Sequence, residues 1–80
     1  MKSDFPKRLR QLREQKRPLL SMVKTSELIG LPPDAIRRYE RGESNPTVES
    51  LDAIADYFNV SMDYLWGRTN FTKLLPLEGE

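Results

Sequence analysis

Residues 26–47, SELIGLPPDAIRRYERGESNPT, decide how the rest of the chain is read. Gly30 follows the last apolar residue of a helical stretch, where a left-handed glycine ordinarily ends a helix. Pro33 suits a first helical position, and Asp34 complements the positive end of the helix dipole. The spacing therefore predicts a further helix, the third of the chain, over residues 33–41, closed by Gly42. Its Ala35, Ile36 and Tyr39 fall on one face, and Arg37, Arg38 and Arg41 are left on the other. Two helices joined by a short glycine turn, the second carrying arginines outward, form a helix-turn-helix arrangement. Such a helix suits the major groove of a nucleic-acid duplex, where arginine forks match guanine edges and phosphates.

Working outward, DFPKRLRQLREQKR (residues 4–17) predicts a first helix. Asp4 or Ser3 caps it, and Phe5, Leu9 and Leu12 form its apolar stripe. Pro18 ends it, because a proline disfavours the helical region for the residue before it. A second helix spans Met22 to Ile29 behind the cap Ser21, with Met22 or Val23, Leu28 and Ile29 facing inward. Beyond the Ser/Asn/Pro loop at 43–47, Thr47 caps a fourth helix with the stripe Leu51, Ile54, Ala55 and Phe58. Asn59 ends that helix. Ser61 caps a short fifth one, in which Leu65 and Trp66 pack inward and Gly67 is the stop. The expectation is an all-α chain, a compact five-helix bundle over residues 1–70. The tail 71–80, with Phe71, Leu74, Leu75 and Leu77, is either a frayed terminus or a dimer contact.

Eighty residues make one small domain, which buries only about 60% of its unfolded surface. Cys and His are both absent, which excludes disulfides, thiolate or imidazole metal sites, and Ser-His or Cys-His nucleophiles. No cofactor is expected. No apolar run approaches a membrane span, and the basic N-terminus lacks the apolar core of a signal peptide, so the expected location is the cytoplasm. The net charge of +1 hides an asymmetry: residues 1–45 carry 11 of the 13 Lys and Arg and 6 of the 12 acids. A basic half suits a polyanion, and an acidic half suits solvent or a partner.

The stretches RLRQLREQK and SELIGLPPDAIRRYERGESNPTVESLDAIADYFNVSMDYLWGRTN resemble the Cro/lambda-repressor-type (Xre-type) helix-turn-helix family of bacterial and phage regulators. The likeness covers about residues 5–70. It rests on Ile29-Gly30, on Tyr39-Glu40-Arg41-Gly42, on Pro46 before a capped helix, and on Val60-Ser61 before Asp63-Tyr64-Leu65. It implies a lambda-repressor-like DNA-binding fold and a homodimer on a pseudo-palindromic double-stranded DNA operator. It also implies base reading by Pro33, Asp34, Ala35, Arg37 and Arg38, phosphate contacts by Arg41, Asn45 and Thr47, and an ion pair between Arg13 and Glu40.

The chain departs from the family pattern where the second helix meets phosphate. Met22 stands at the usual glutamine, Thr25 at a usual leucine, and Pro32 at the cap of the third helix; RPLLS (residues 17–21) is longer than the common turn. Ser21 or Lys24 then replaces the glutamine as anchor. Base readout shifts toward Asp34, able to accept from a cytosine amino group, and toward Arg37 and Arg38.

Each functional reading has a plainer counterpart. The cations of the first helix are a phosphate patch or a solvated face. Tyr39 stacks on a base or packs in the core, and its spacing from Ile36 favours the core. Tyr57, Phe58, Tyr64 and Trp66 read as core, and Asp52, Asp56 and Asp63 as a solvated acidic face. Taken together, the chain reads as a sequence-specific DNA-binding transcriptional regulator without catalysis, a repressor of phage or mobile-element type. The alternative is a protein-interaction module, such as an antitoxin or adaptor.

Overall fold

Ser21, Thr47 and Ser61 each start a helix by the same device. In the computed structural model, which describes residues 3–71, their hydroxyls accept the backbone N–H three residues on, from Lys24, Ser50 and Tyr64, each at 3.0 Å. These bonds satisfy donors that the first helical turn leaves open. The elements are α1 (Phe5–Gln15), α2 (Met22–Ile29), α3 (Ala35–Glu40), α4 (Val48–Phe58) and α5 (Met62–Trp66). Among the described residues there is no strand.

The apolar core is built from one to three residues each of α1, α3, α4 and α5. Phe5 and Leu9 of α1, Ile36 of α3, Ile54 of α4 and Leu65 of α5 are fully buried, with Ala35, Tyr39 and Ala55 around them. The Phe5 ring meets Tyr39 edge-on at 5.5 Å and lies tilted against Trp66 at 6.1 Å. Tyr39 is thus a core residue, and Tyr57, Phe58, Tyr64 and Trp66 are half-buried around the bundle.

The ends of the chain's helices close on each other. The Ser3 hydroxyl accepts the Phe5 N–H and donates to the Trp66 carbonyl. Gly67, at φ 103°, lets the backbone of Asp4 come close: a Cβ at position 67 would lie 3.0 Å from the Asp4 Cβ. Only glycine combines that left-handed conformation with that approach. Arg8 completes the closure. Its guanidinium donates to the Tyr64 carbonyl at 2.7 Å, to the Thr69 carbonyl and to Asn70 Oδ1 at 2.9 Å, and it lies over the Tyr64 ring.

Three expectations change. First, α3 begins at Ala35 rather than Pro33 and ends at Glu40 rather than Arg41. Pro33 disfavours the helical region for Pro32, so residues 33–34 form a turn, closed by the Ala35 N–H on the Pro32 carbonyl at 3.0 Å. The cap position of α3 is Asp34, not Pro32, and the Asp34 side chain makes no capping bond.

Second, α1 stops at Gln15. Lys16 is already extended (ψ 137°), ahead of Pro18, and Arg17 folds its guanidinium back on the Glu14 carbonyl. Third, Val23 and Leu28 do not face inward; they are 51% and 53% exposed. The inner stripe of α2 is Met22, Thr25, Ser26 and Ile29. Thr25 and Ser26 can be buried because their hydroxyls donate to carbonyls one turn back, Ser21 at 2.8 Å and Met22 at 2.9 Å. Their small size lets α3 approach, and the Ser26 hydroxyl also accepts the Ile36 N–H. The tail residues 72–80 lie outside the described residues, so the expectation placed on them does too.

Candidate nucleic-acid interface

The buried face of α3 fixes its outer face. Because Ala35, Ile36 and Tyr39 point into the core, Arg37 and Arg38 are exposed on the opposite side, with Arg41 exposed at the C-cap. The helix is held at two points. Ser26 joins its first turn to α2. At its end, Glu40 accepts two bonds from Arg13 of α1, Nε to Oε2 at 2.6 Å and Nη2 to Oε1 at 2.9 Å. The two side chains are only 15% and 8% exposed. The Glu40 hydrogen bond is the main reason the Arg13 pKa rises above its ordinary value, against the opposing cost of burial. Arg13 is therefore a structural cation, as the family resemblance implies.

The three outward arginines differ in how free they are. Arg38 lies 3.7 Å from Asp34 one turn back, and Arg41 lies 3.4 Å from Glu43. All four side chains are about half exposed or more, so both contacts are weak and exchangeable. Arg37 has no ion pair among the described residues.

Two open hollows flank Arg37. One, of about 300 Å³, lies between the tips of α2 and α3 and is lined by Ser21, Met22, Val23, Pro33, Asp34 and Arg37. The other, of about 320 Å³, is lined by Arg10, Arg13, Met22, Arg37, Glu40 and Arg41. Arg13 and Glu40 cancel within it, but Arg37 is unpaired among the described residues and Arg10 and Arg41 have only exposed, weak contacts with Glu14 at 3.3 Å and Glu43 at 3.4 Å, so it is a cationic cup. Met22 and Arg37 are the residues common to both.

The expected site residues fall into place unevenly. Ser21, Lys24, Pro33, Arg37, Arg38, Arg41, Asn45 and Thr47 are exposed, and Asp34 is half-buried. Ala35 is the exception. It is buried in the core, so its side chain cannot meet a base; the register that turns Ile36 and Tyr39 inward takes Ala35 with them. The Thr47 hydroxyl is engaged, accepting from the Ser50 N–H and donating to the Ser50 hydroxyl. At the start of α2 the amides of Met22 and Val23 precede the capped Lys24 N–H, and the positive dipole end points outward there.

Sequence reasoning left Arg10 among the α1 cations, a phosphate patch or a solvated face, and took Val23 as a candidate for the core. Arg10 lies 3.3 Å from Glu14 in an exposed, weak pair, whereas Arg8 holds the chain beyond α5 and Lys16 lies over the Tyr57 ring at 4.8 Å. Among the described residues no group of acidic, His or Cys side chains is placed to hold a metal ion, and no helix is long and apolar enough to cross a membrane.

Comparison with known proteins matches residues 9–65 to a family model described as helix-turn-helix. The chain is 33% identical over 69 residues to the HTH-type transcriptional regulator AnsR of Bacillus subtilis, covering 86% of this chain and 58% of that protein. It is 38% identical over 48 residues to the cryptic phage CTXphi transcriptional repressor RstR of Vibrio cholerae, covering 60% and 43%. A third relative, the HTH-type transcriptional regulator YobD of Bacillus subtilis, is 34% identical over 66 residues, covering 82% and 57%. The chain thus spans about half the length of these relatives. In fold it is similar to the solution structure of the SOS-response transcriptional repressor LexA from Eubacterium rectale. The TM-score is 0.71 at 21% identity, over 94% of this chain and 79% of that one.

Proposed function

Because the chain belongs to the Cro/C1-type helix-turn-helix family, we propose that it is a sequence-specific DNA-binding transcriptional regulator, a repressor of the phage or mobile-element type. One observation carries the reading: α3 is sealed on its inner face and presents Arg37, Arg38 and Arg41 from its outer face and C-cap. On this reading α3 enters the major groove. Asp34, Arg37 and Arg38 read base edges there, Arg37 and Arg38 as donors and Asp34 as an acceptor. Arg41, Asn45 and Thr47 face the backbone on one side, and the α2 tip with Ser21 and Lys24 faces it on the other. The cationic cup beside Met22 seats a phosphate, which answers the loss of the glutamine at that position. Pro33 lies at the tip as a spacer without a backbone donor.

The protein acts as a homodimer on a pseudo-palindromic operator, with its two copies of α3 about 34 Å apart along the duplex. Support for pairing comes from exposed apolar side chains beyond the α3–α4 loop. Val48 is 75% and Met62 37% exposed, around an open hollow that Pro46, Leu51 and Trp66 also line. A second copy covering them would join the domains next to the ends of their reading helices. Occupied DNA blocks polymerase access; the function involves no catalysis and places the protein in the cytoplasm.

The test is selection of bound sequences from a random duplex pool at moderate salt. A two-fold repeated motif is the expected outcome. A pool with no enriched sequence would refute the reading and favour a role in binding another protein.

A further inference from the structure

The hollow between the tips of α2 and α3 has a chemistry unlike the rest of the arginine face. Its walls are the Met22 thioether, the Val23 methyl groups and the Pro33 ring, none of which is a side-chain hydrogen-bond donor. The polar groups at its rim are Ser21, Asp34 and Arg37. The Ser21 hydroxyl accepts the Lys24 N–H, and Asp34 faces Arg38. Only Arg37 is without an ion pair. Resting on the DNA-binding reading above, we propose that this notch takes the 5-methyl group of a thymine in the operator's major groove, with Val23 as the residue that sets the preference.

The argument is one of exclusion and charge. In the major groove a base pair presents donors, acceptors and one apolar feature, the thymine methyl. Against Met22, Val23 and Pro33 themselves an adenine N6 or cytosine N4 amino group finds no acceptor and loses its water at a cost; the one carboxylate of the lining, Asp34, serves an amino group on the adjoining base. A methyl group gains from the same walls. The rim favours nucleic acid over an apolar peptide, because Arg37 and the positive end of α2 border it. Arg37 on the notch edge then reaches the neighbouring base pair, so the thymine lies beside the base that Arg37 reads.

The experiment uses the full chain and the operator duplex obtained by selection, with each thymine replaced in turn by deoxyuridine, which removes only the methyl group. Burying one methyl is worth about a fourfold change in affinity. We expect about that loss at one thymine in each half-site, with near-neutral effects at the others. Val23→Ala, a change at a half-exposed position, is expected to leave folding intact and to erase most of the difference between thymine and deoxyuridine at that position. Four outcomes overturn the proposal. If selection yields no operator, the DNA-binding reading falls and the notch falls with it. If an operator is bound but every deoxyuridine is neutral, the notch alone is wrong. If deoxyuridine matters and Val23→Ala leaves its effect unchanged, the methyl is read elsewhere. If Val23→Ala abolishes self-association instead, the notch belongs to a second copy.

Discussion

The Ser26 hydroxyl accepts the Ile36 N–H at 3.2 Å while donating to the Met22 carbonyl at 2.9 Å, both inside the bundle. One oxygen thereby joins α2 to the first turn of α3, where helical amides lack partners of their own. Among the described residues, no buried side-chain nitrogen or oxygen is left unpaired. Ser26→Ala removes the acceptor and leaves a buried N–H without one. The expected cost is about 1–3 kcal/mol, read as a lower urea midpoint at unchanged slope. An unchanged midpoint would show that this bond contributes nothing net.

The pairing of Arg13 with Glu40 gives a sharper contrast. Arg13→Met alone strands a largely buried carboxylate and should cost about 3 kcal/mol. Replacing both partners by Met and Leu should be close to neutral. Since the folded guanidinium is raised, its stabilising effect is present below the unfolded pKa and lost only as pH rises through the folded one. Both lie far on the alkaline side, so Arg13 adds no slope to stability between about pH 7 and 10. A double mutant as unstable as the single one would reject this account.

Arg37 and Arg10 should fail differently on DNA. Arg37→Ala should cost about 1–3 kcal/mol on the selected operator and relax preference at one base pair, with little change on random duplex. Arg38→Ala should do the same at another pair, since its exposed contact with Asp34 is weak. Arg10→Ala should weaken specific and random binding alike and lower the salt slope by about one. Equal losses on both duplexes for Arg37→Ala would move it from base reading to phosphate contact.

Val48 offers a test of pairing that leaves the arginine face untouched. Val48→Glu places a charge on a side chain that is already solvent-facing in the single chain. Sedimentation should show the monomer gaining at a given concentration, and affinity for the two-fold operator should fall while a single half-site is bound as before. A dimer that survives the change would relocate the interface.

The sequence was most legible where the physics is local. Ser21, Thr47 and Ser61 announce helix starts within three residues, and Gly30, Asn59 and Gly67 announce ends within one turn. The pairing of Arg13 with Glu40, 27 residues apart, became readable only through likeness to a family. Hydrophobicity misled in α2, because Thr25 and Ser26 satisfy themselves one turn back and take the inner places expected for Val23 and Leu28. Ala35 is the reverse case: its spacing with Ile36 and Tyr39 puts it on the inner face, where it lies, and only the family likeness set it against a base. The notch and the cup could not be seen at all, since each is assembled from separate elements that meet only in the folded chain.

The web around Arg8 and Ser3 has a consequence for how the molecule is made. Their partners lie 56 to 63 residues downstream, so α1, although it meets α3 earlier, is fully fastened only once α5 has been made. Contacts that span so much of a short chain slow folding relative to a bundle held by neighbours alone. A chain cut short before Tyr64 would keep α1 only through Phe5 against Tyr39 and Arg13 on Glu40, with Ser3 and Arg8 unfastened, a target for proteolysis.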